Sequence, residues 1–174
     1  MINNIAKLII AMNSNVKKSQ IAAGIAWGLL LGLVPLGNFF WIVLFLVSFF
    51  FHIHHGLKLA FMFLFKLAAV ICAPSIDMLG WEILHITALQ PLFTSMYNMP
   101  FVPFTQFNNT LVAGGLVAGI VLWLPVFLLL LPFIGWYRNI VAPKIRNSKL
   151  AKAINKIPFV ALLQKAAVQL AKKK

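Results

Sequence analysis

The chain has 174 residues, of which 62% are hydrophobic and 10% are charged, and its mean hydropathy is +0.96. Soluble domains carry about 25% charged residues and about half apolar ones, so this composition indicates a protein that folds in a membrane. The single cysteine, Cys72, excludes a disulfide scaffold and a cysteine-rich zinc site. The two acids, Asp77 and Glu82, are too few for acid–base or two-metal hydrolysis. We therefore expect no enzymatic activity and no cofactor.

The net charge of +13 lies at the two ends of the chain. Residues 1–18 hold three lysines and residues 138–174 hold ten basic residues, whereas residues 19–137 are formally neutral. Basic segments beside membrane spans tend to stay cytoplasmic and meet anionic headgroups, at about 1 kcal/mol per residue. Both termini are therefore predicted to be cytoplasmic in a bacterial inner membrane, with an even number of crossings. Nucleic acid is not an expected partner, because these charges flank lipid-soluble segments instead of forming one basic face.

In chain order, residues 1–18 predict an amphipathic interfacial helix, and residues 19–137 predict the membrane domain. The apolar residues 20–51 would span about 48 Å as one straight helix, against a hydrocarbon core of about 30 Å. Pro35, Gly37 and Asn38 combine a helix breaker, a permissive glycine and a turn former in the middle of this stretch. Residues 19–56 are therefore predicted to form a broken helical hairpin, re-entrant or kinked. Since unsatisfied backbone cannot face lipid, this turn is a candidate site.

The remainder of the membrane domain is predicted to consist of helices over residues 57–90, a loop at headgroup depth over 91–109, and a second broken hairpin over 110–137. Shifting the chain by 90 positions superposes Gly24 on Gly114 and Pro35 on Pro125. This match indicates an internal repeat of the kind from which some transporters are built. Residues 143–174 predict a basic amphipathic tail. The expected fold class is an all-α polytopic membrane protein.

Two glycine series lie at helical spacing and mark candidate packing faces. Gly24, Gly28 and Gly32 share one helix face, and Gly115 and Gly119 repeat the spacing in the second half. Small residues at such intervals let a neighbouring backbone approach closely. Packing within one subunit is the favoured interpretation, with oligomerisation or a substrate groove as alternatives.

Three histidines, His52, His54 and His55, lie where an apolar segment meets polar chain. A transition-metal site normally needs a fuller ligand set, and no acid or cysteine lies nearby in the sequence. Contact with lipid headgroups is therefore favoured over metal binding.

Lys66 lies inside an apolar helical segment, where an unpaired cation costs a few kcal/mol. Three interpretations stay open. The ammonium group forms an ion pair with Asp77 or Glu82, reaches the interface along its apolar stem, or meets a lipid phosphate.

Residues 22–37 fit the pattern A-x-G-x-A-x-G-x-x-x-G-x-x-P-x-G. In this run the chain resembles a bacterial family of small polytopic inner-membrane proteins defined as a domain of unknown function. The resemblance covers roughly residues 5–140 and implies no catalytic residue; the motif glycines, Pro35 and Asn38 carry over as positions of unknown role. It is strongest to a branch encoded beside a large AsmA-like envelope protein, which implies a subunit that works with a periplasmic partner.

Together these observations favour a subunit that helps phospholipid leave or enter the bilayer and anchors a periplasmic lipid-conducting partner. The alternative is a self-contained transporter or scramblase of a small or lipid-linked solute, built on the repeat. A structural membrane anchor is the third interpretation. The oligomeric state is not predicted.

Overall fold

A computed structural model describes residues 16–141 and residue 143. All regular elements in this part of the chain are helical, which confirms the all-α prediction for it. The α-helices are α1 (Lys18–Leu33), α2 (Phe39–Val47), α3 (His55–Ile71), α4 (Ala73–Leu84), α5 (Gln90–Tyr97) and α6 (Thr110–Trp136). Shorter helical turns are Ser48–Phe50, Thr87–Leu89, Val102–Thr105 and the π-helical Tyr137–Val141. The predicted terminal helices, residues 1–18 and 143–174, lie almost wholly outside the described residues.

Helix α1 is the central helix of the fold. Eleven of its 16 residues are buried, and they lie on all sides of the helix. A helix that is apolar all round is typical of a position inside other helices. Its neighbours are α2, α3 and α6, as the contacts described below show.

The predicted break at Pro35 is confirmed, since α1 ends at Leu33 and α2 begins at Phe39. Gly37 has a φ of +90°, a conformation that side chains with a Cβ rarely adopt. The chain then returns along α1 in the opposite direction. The ring of Phe51 lies 5.2 Å from that of Trp27, and the His54 amide donates to the Gln20 carbonyl at 3.0 Å.

Helix α3 runs parallel to α1 and makes the most extensive helix contact among the described residues. It ends at Ile71, three residues before Pro74, and α4 continues at an angle of 80°. Pro74 occupies the first turn of α4, where its missing N–H leaves no hydrogen bond unmade. Because α3 and α4 are both apolar, the pair forms one bent membrane-span candidate.

The prediction of a second broken hairpin over residues 110–137 is wrong. Helix α6 is continuous for 27 residues and contains both Pro125 and Pro132. A proline removes one backbone hydrogen bond, and a long apolar helix can absorb that loss when no turn-forming residues follow. The predicted internal repeat would therefore pair a broken helix with an unbroken one. The 91–109 loop is also more ordered than predicted, since it includes α5 and a 3₁₀ turn.

Helix α6 crosses α4 where Gly80 and Gly114 bring the two backbones together. It then runs antiparallel to α1, with Gly115 beside the Leu33 carbonyl and Gly119 beside Leu30. The described residues up to Pro132 form one compact unit. Within this unit, the start of α6 and the end of α1 therefore lie at the same end. A second unit begins at Phe133 and includes the last residues of α6 and the π-helical turn.

The outer surface of the helices is apolar. In α3, for example, Phe63 is 67% exposed and Val70 is 71% exposed, whereas Lys58 of the same helix is fully buried. Such an arrangement reverses that of a soluble helix and suits a lipid environment. Thr110–Ile140 is the one unbent helical stretch, among the described residues, that is long and apolar enough to cross a membrane.

Candidate functional site at the Pro35 corner

The chain reverses direction at residues 34–38, which we call the corner, and side chains satisfy the carbonyl oxygens around it. The Trp41 Nε1 donates to the Leu31 carbonyl at 3.0 Å, and the Asn38 Nδ2 donates to the Pro35 carbonyl at 2.7 Å. The Lys66 Nζ donates to the carbonyl of Val34. Carbonyls at the end of a helix lack intrahelical donors. These three contacts supply the donors that the carbonyls lack.

Asn38 serves both sides of the corner. Its side-chain oxygen accepts from the Trp41 amide at 2.8 Å and caps α2, while its amide nitrogen binds Pro35. The residue is only 1% exposed. An asparagine can donate and accept at the same time, which an aspartate cannot do when ionised.

The glycine face of α1 brings Lys66 to the corner by allowing α3 to pack closely. A Cβ added at Gly24 or Gly28 would lie 2.9 Å from a backbone oxygen of α3 or of the residue before it. At Gly32 it would lie 2.5 Å from the Phe65 Cβ. Contacts this short exclude any side chain at these positions without movement of the helices. The first glycine series therefore lies at a contact within one subunit.

Lys66 is half-buried, and its charge lies beside the carboxyl end of α1. Helix carboxyl ends carry partial negative charge, so a cation is stabilised there. The structure does not place either predicted acid at Lys66. Asp77 accepts from the Thr110 hydroxyl, and Glu82 is exposed on α4.

Lys58 is a second interior cation and is not among the predicted site residues. It is 0% exposed, and its Nζ donates to the Ser48 hydroxyl at 2.7 Å. The ammonium group also lies 3.9 Å from the ring centroid of Phe49 and 4.5 Å from that of Phe45. Aromatic faces attract cations at such distances, increasingly so when water is absent. Ser48 lies ten residues earlier in the chain, so no local pattern indicates this contact.

The three predicted histidines lie at the opposite end of α1 from the corner. His54 Nδ1 accepts from the Leu57 amide at 3.1 Å and caps α3, and the His55 ring stacks on Phe49 at 4.9 Å. His52 is exposed. All three line an open pocket of about 370 Å³. Among the described residues, no group of three histidine, cysteine or acidic side chains is placed to hold a metal ion.

The remaining predicted positions lie on the packing surfaces or near the corner. Gly115 and Gly119 contact α1, and Gly37 has open space around it. Pro125 is an exposed residue inside α6. Trp41 was not predicted, because the bond from its Nε1 to the Leu31 carbonyl joins residues ten positions apart across the turn.

The chain is 32% identical over 159 residues to an uncharacterized protein of Treponema pallidum (strain Nichols), which covers 91% of this chain and 98% of the relative. This chain belongs to the same family. No protein-family model matches it, and no solved structure matches it. The resemblance to a domain-of-unknown-function family stays a prediction.

Proposed function

We propose that this protein is a multi-pass inner-membrane subunit that assists phospholipid transport between membranes, thinning the bilayer and anchoring a large periplasmic lipid-conducting partner. The observation that carries the proposal is the corner itself. Its backbone carbonyls are bound by side chains, and one of those side chains is a cation. A chain can turn inside a bilayer only when its backbone is satisfied in this way.

The helix lengths support local thinning. Helix α1 has 16 residues and spans about 24 Å, and α2 has nine residues and spans about 14 Å, against a hydrocarbon core of about 30 Å. Neither crosses a bilayer of ordinary thickness by itself. A re-entrant arrangement that enters from the cytoplasmic side places the corner near the opposite leaflet. Short hydrophobic segments draw the bilayer thinner around them.

Two crossings agree with the charge distribution. The bent pair α3–α4 and helix α6 are the remaining span candidates among the described residues. With α1 and α2 as a re-entrant pair, two crossings leave both termini on one side. The basic ends of the chain support a cytoplasmic position for that side.

Lys66 is the residue proposed to meet the lipid headgroup. An ammonium group has three donors, and the Val34 carbonyl takes one of them. Lys66 is half-buried, unlike Lys58, so two N–H groups can turn towards a phosphate oxygen. A headgroup held there lies at the thinnest part of the proposed membrane, where the barrier to leaving the leaflet is lowest.

The test measures phospholipid that stays bound to the purified protein by native mass spectrometry. Lys66→Gln keeps a donor for Val34 but removes the charge, and Lys18→Met removes an exposed lysine that is remote from the corner. We expect Lys66→Gln to lose bound phospholipid and Lys18→Met to retain it. Equal retention in both variants would dismiss Lys66 as a headgroup site.

A second experiment addresses the partner. Co-purification from the native membrane should recover a large envelope protein, and the isolated protein in liposomes should move little lipid. Rapid lipid exchange without any partner would instead favour a self-contained scramblase. That alternative depended on a second broken helix, and α6 is continuous.

A further inference from the structure

An open pocket of about 410 Å³ lies between α4, α5 and the start of α6. The crossing of α4 and α6 at Gly80 and Gly114 fixes one of its walls, and α5 forms another. None of the corner residues lines it. Its volume lies in the range of small-molecule sites, about 300–1,000 Å³.

Aromatic rings dominate the lining, and they include Trp81, Tyr97 and Phe107. The ring of His85 lies against the ring of Trp81, with 3.6 Å between their centroids. One face of the indole is thus covered, and at most the other is open to a ligand. A single open face suits a flat ligand that stacks on it, whereas a cationic ammonium group favours several faces around it.

The amide and hydroxyl groups of the pocket are neutral, and the His85 ring, which also lines it, contacts Trp81 through its Nδ1 and its ring face. Asn98 Nδ2 donates to the Thr94 carbonyl at 3.0 Å, and Gln90 Nε2 donates to the Leu84 carbonyl at 2.5 Å. In each amide the side-chain oxygen is left to accept. The Tyr97 hydroxyl and the Asn108 amide have no hydrogen-bond partner within the described part of the chain. The pocket therefore offers donors and acceptors beside apolar rings.

We propose that this pocket binds a neutral glycosyl group. No Asp, Glu, Lys or Arg lines it, so a cationic ligand would find no carboxylate there and an anionic ligand would find no permanently charged group. An acyl chain would leave the amide and hydroxyl groups without partners. A pyranose ring has an apolar C–H face that can stack on Trp81 and a rim of hydroxyls that can bind Asn98, Asn108 and Tyr97. A pyranose ring therefore matches both the aromatic rings and the hydrogen-bonding groups of the lining.

The location of the pocket indicates on which side of the membrane the ligand would bind. Thr110 lines the pocket and begins α6, at the same end of the unit as the Pro35 corner. Under the topology proposed above, that end is periplasmic. The glycosyl group belongs either to a glycolipid headgroup or to a free sugar. Binding itself does not depend on phospholipid transport, so the two proposals can fail separately.

The experiment uses the full chain in nanodiscs of phosphatidylglycerol, which contain neither sugar nor choline. Saturation-transfer NMR measures binding of methyl glucoside, methyl galactoside and choline, and native mass spectrometry measures uptake of glucosyl diacylglycerol. The variants are Trp81→Ala, Tyr97→Phe and Asn108→Ala, with Trp136→Ala as the matched control outside the pocket. Tyr97 and Asn108 are exposed, so their variants remain informative even if Trp81→Ala does not fold.

We expect at least one glycosyl probe to bind, with affinity about tenfold lower in each pocket variant and unchanged in Trp136→Ala. Binding of the soluble glycosides indicates a free sugar, and uptake of the glycolipid alone indicates a lipid headgroup; both support the proposal. Selective binding of choline would overturn it. Failure of every glycosyl probe, or equal binding in all variants, would overturn it as well.

Discussion

The ammonium group of Lys66 donates a hydrogen bond to the carbonyl of Val34, the residue directly before Pro35. The two residues are 32 positions apart, and Val34 is fully buried. A carbonyl in that position can receive no bond from water. Lys66 thus donates to a carbonyl of the turn for which the residues of the turn provide no donor.

Replacing Lys66 with methionine should destabilise the protein by about 1–3 kcal/mol, because it leaves the buried Val34 carbonyl without a donor. Lys66→Arg retains donors and should lose less. Unfolding in a detergent titration measures both. A methionine variant as stable as the parent would show that this hydrogen bond is dispensable.

Asn38→Ala should cost about 1–3 kcal/mol, because the variant loses the cap on α2 and leaves the Pro35 carbonyl without its donor. Asn38→Ser keeps an acceptor that can cap α2 but lacks the amide donor to Pro35, so its stability should lie between that of the alanine variant and that of the parent. Leu36→Ala is the control, since Leu36 is 60% exposed in the same turn. If the Leu36 variant is destabilised as much as the Asn38 variants, the two hydrogen bonds do not determine the stability of the corner.

Gly32→Ala should destabilise the protein by about 1–3 kcal/mol through overpacking at the α1–α3 contact. The added methyl would meet the Phe65 Cβ and the Met62 carbonyl, neither of which can move without its helix. Gly56→Ala is the control, because its closest neighbour is the His54 side chain at 3.2 Å. Thermal melting of both variants should separate them, and equal melting temperatures would argue against a tight helix contact at Gly32.

Lys58→Met should be nearly neutral or stabilising, in contrast to Lys66→Met. Ser48 donates to the Phe45 carbonyl at 2.5 Å, so its hydroxyl keeps a partner when Lys58 is removed. Replacing a buried charge with an apolar side chain of similar size is often tolerated. The free energies of unfolding of the two variants test the contrast. A large loss in Lys58→Met would mean that the ammonium group stabilises the fold through Phe45 and Phe49.

Pro125→Ala should leave the helical content unchanged and preserve or raise stability, because α6 already continues through this residue. Circular dichroism and thermal melting of the variant in detergent measure the two quantities. Loss of helix or of folding would indicate that Pro125 sets a bend that the fold requires.

The difference between the two proline segments shows how far the sequence can be interpreted. Pro35 is followed by Gly37 and Asn38, which supply a positive φ and a helix cap, and the helix breaks there. Pro125 is followed by valine, phenylalanine and leucines, which supply neither, and the helix continues. Proline alone therefore does not determine whether the helix breaks. The residues that follow the proline determine it.

The environment of the lysines could not be predicted from local patterns. All three interpretations of Lys66, an ion pair, a reach to the interface and a lipid phosphate, treat its charge as a cost in the membrane interior. None of them includes a carbonyl that needs a donor, because the Val34 carbonyl loses its helical partner only when the chain turns. The burial of Lys58 likewise depends on how α2 and α3 meet. In both cases the deciding contact joins residues that are far apart in the sequence.

The three hydrogen bonds to the carbonyls at the corner are made by residues within the range 31–66, whereas α6 begins at Thr110. Proteins are synthesised from the amino terminus, and earlier segments can fold first. The turn can thus be complete while the ribosome is still translating the later helices. When α6 is translated, Gly115 and Gly119 can then pack against a surface of α1 that has already formed.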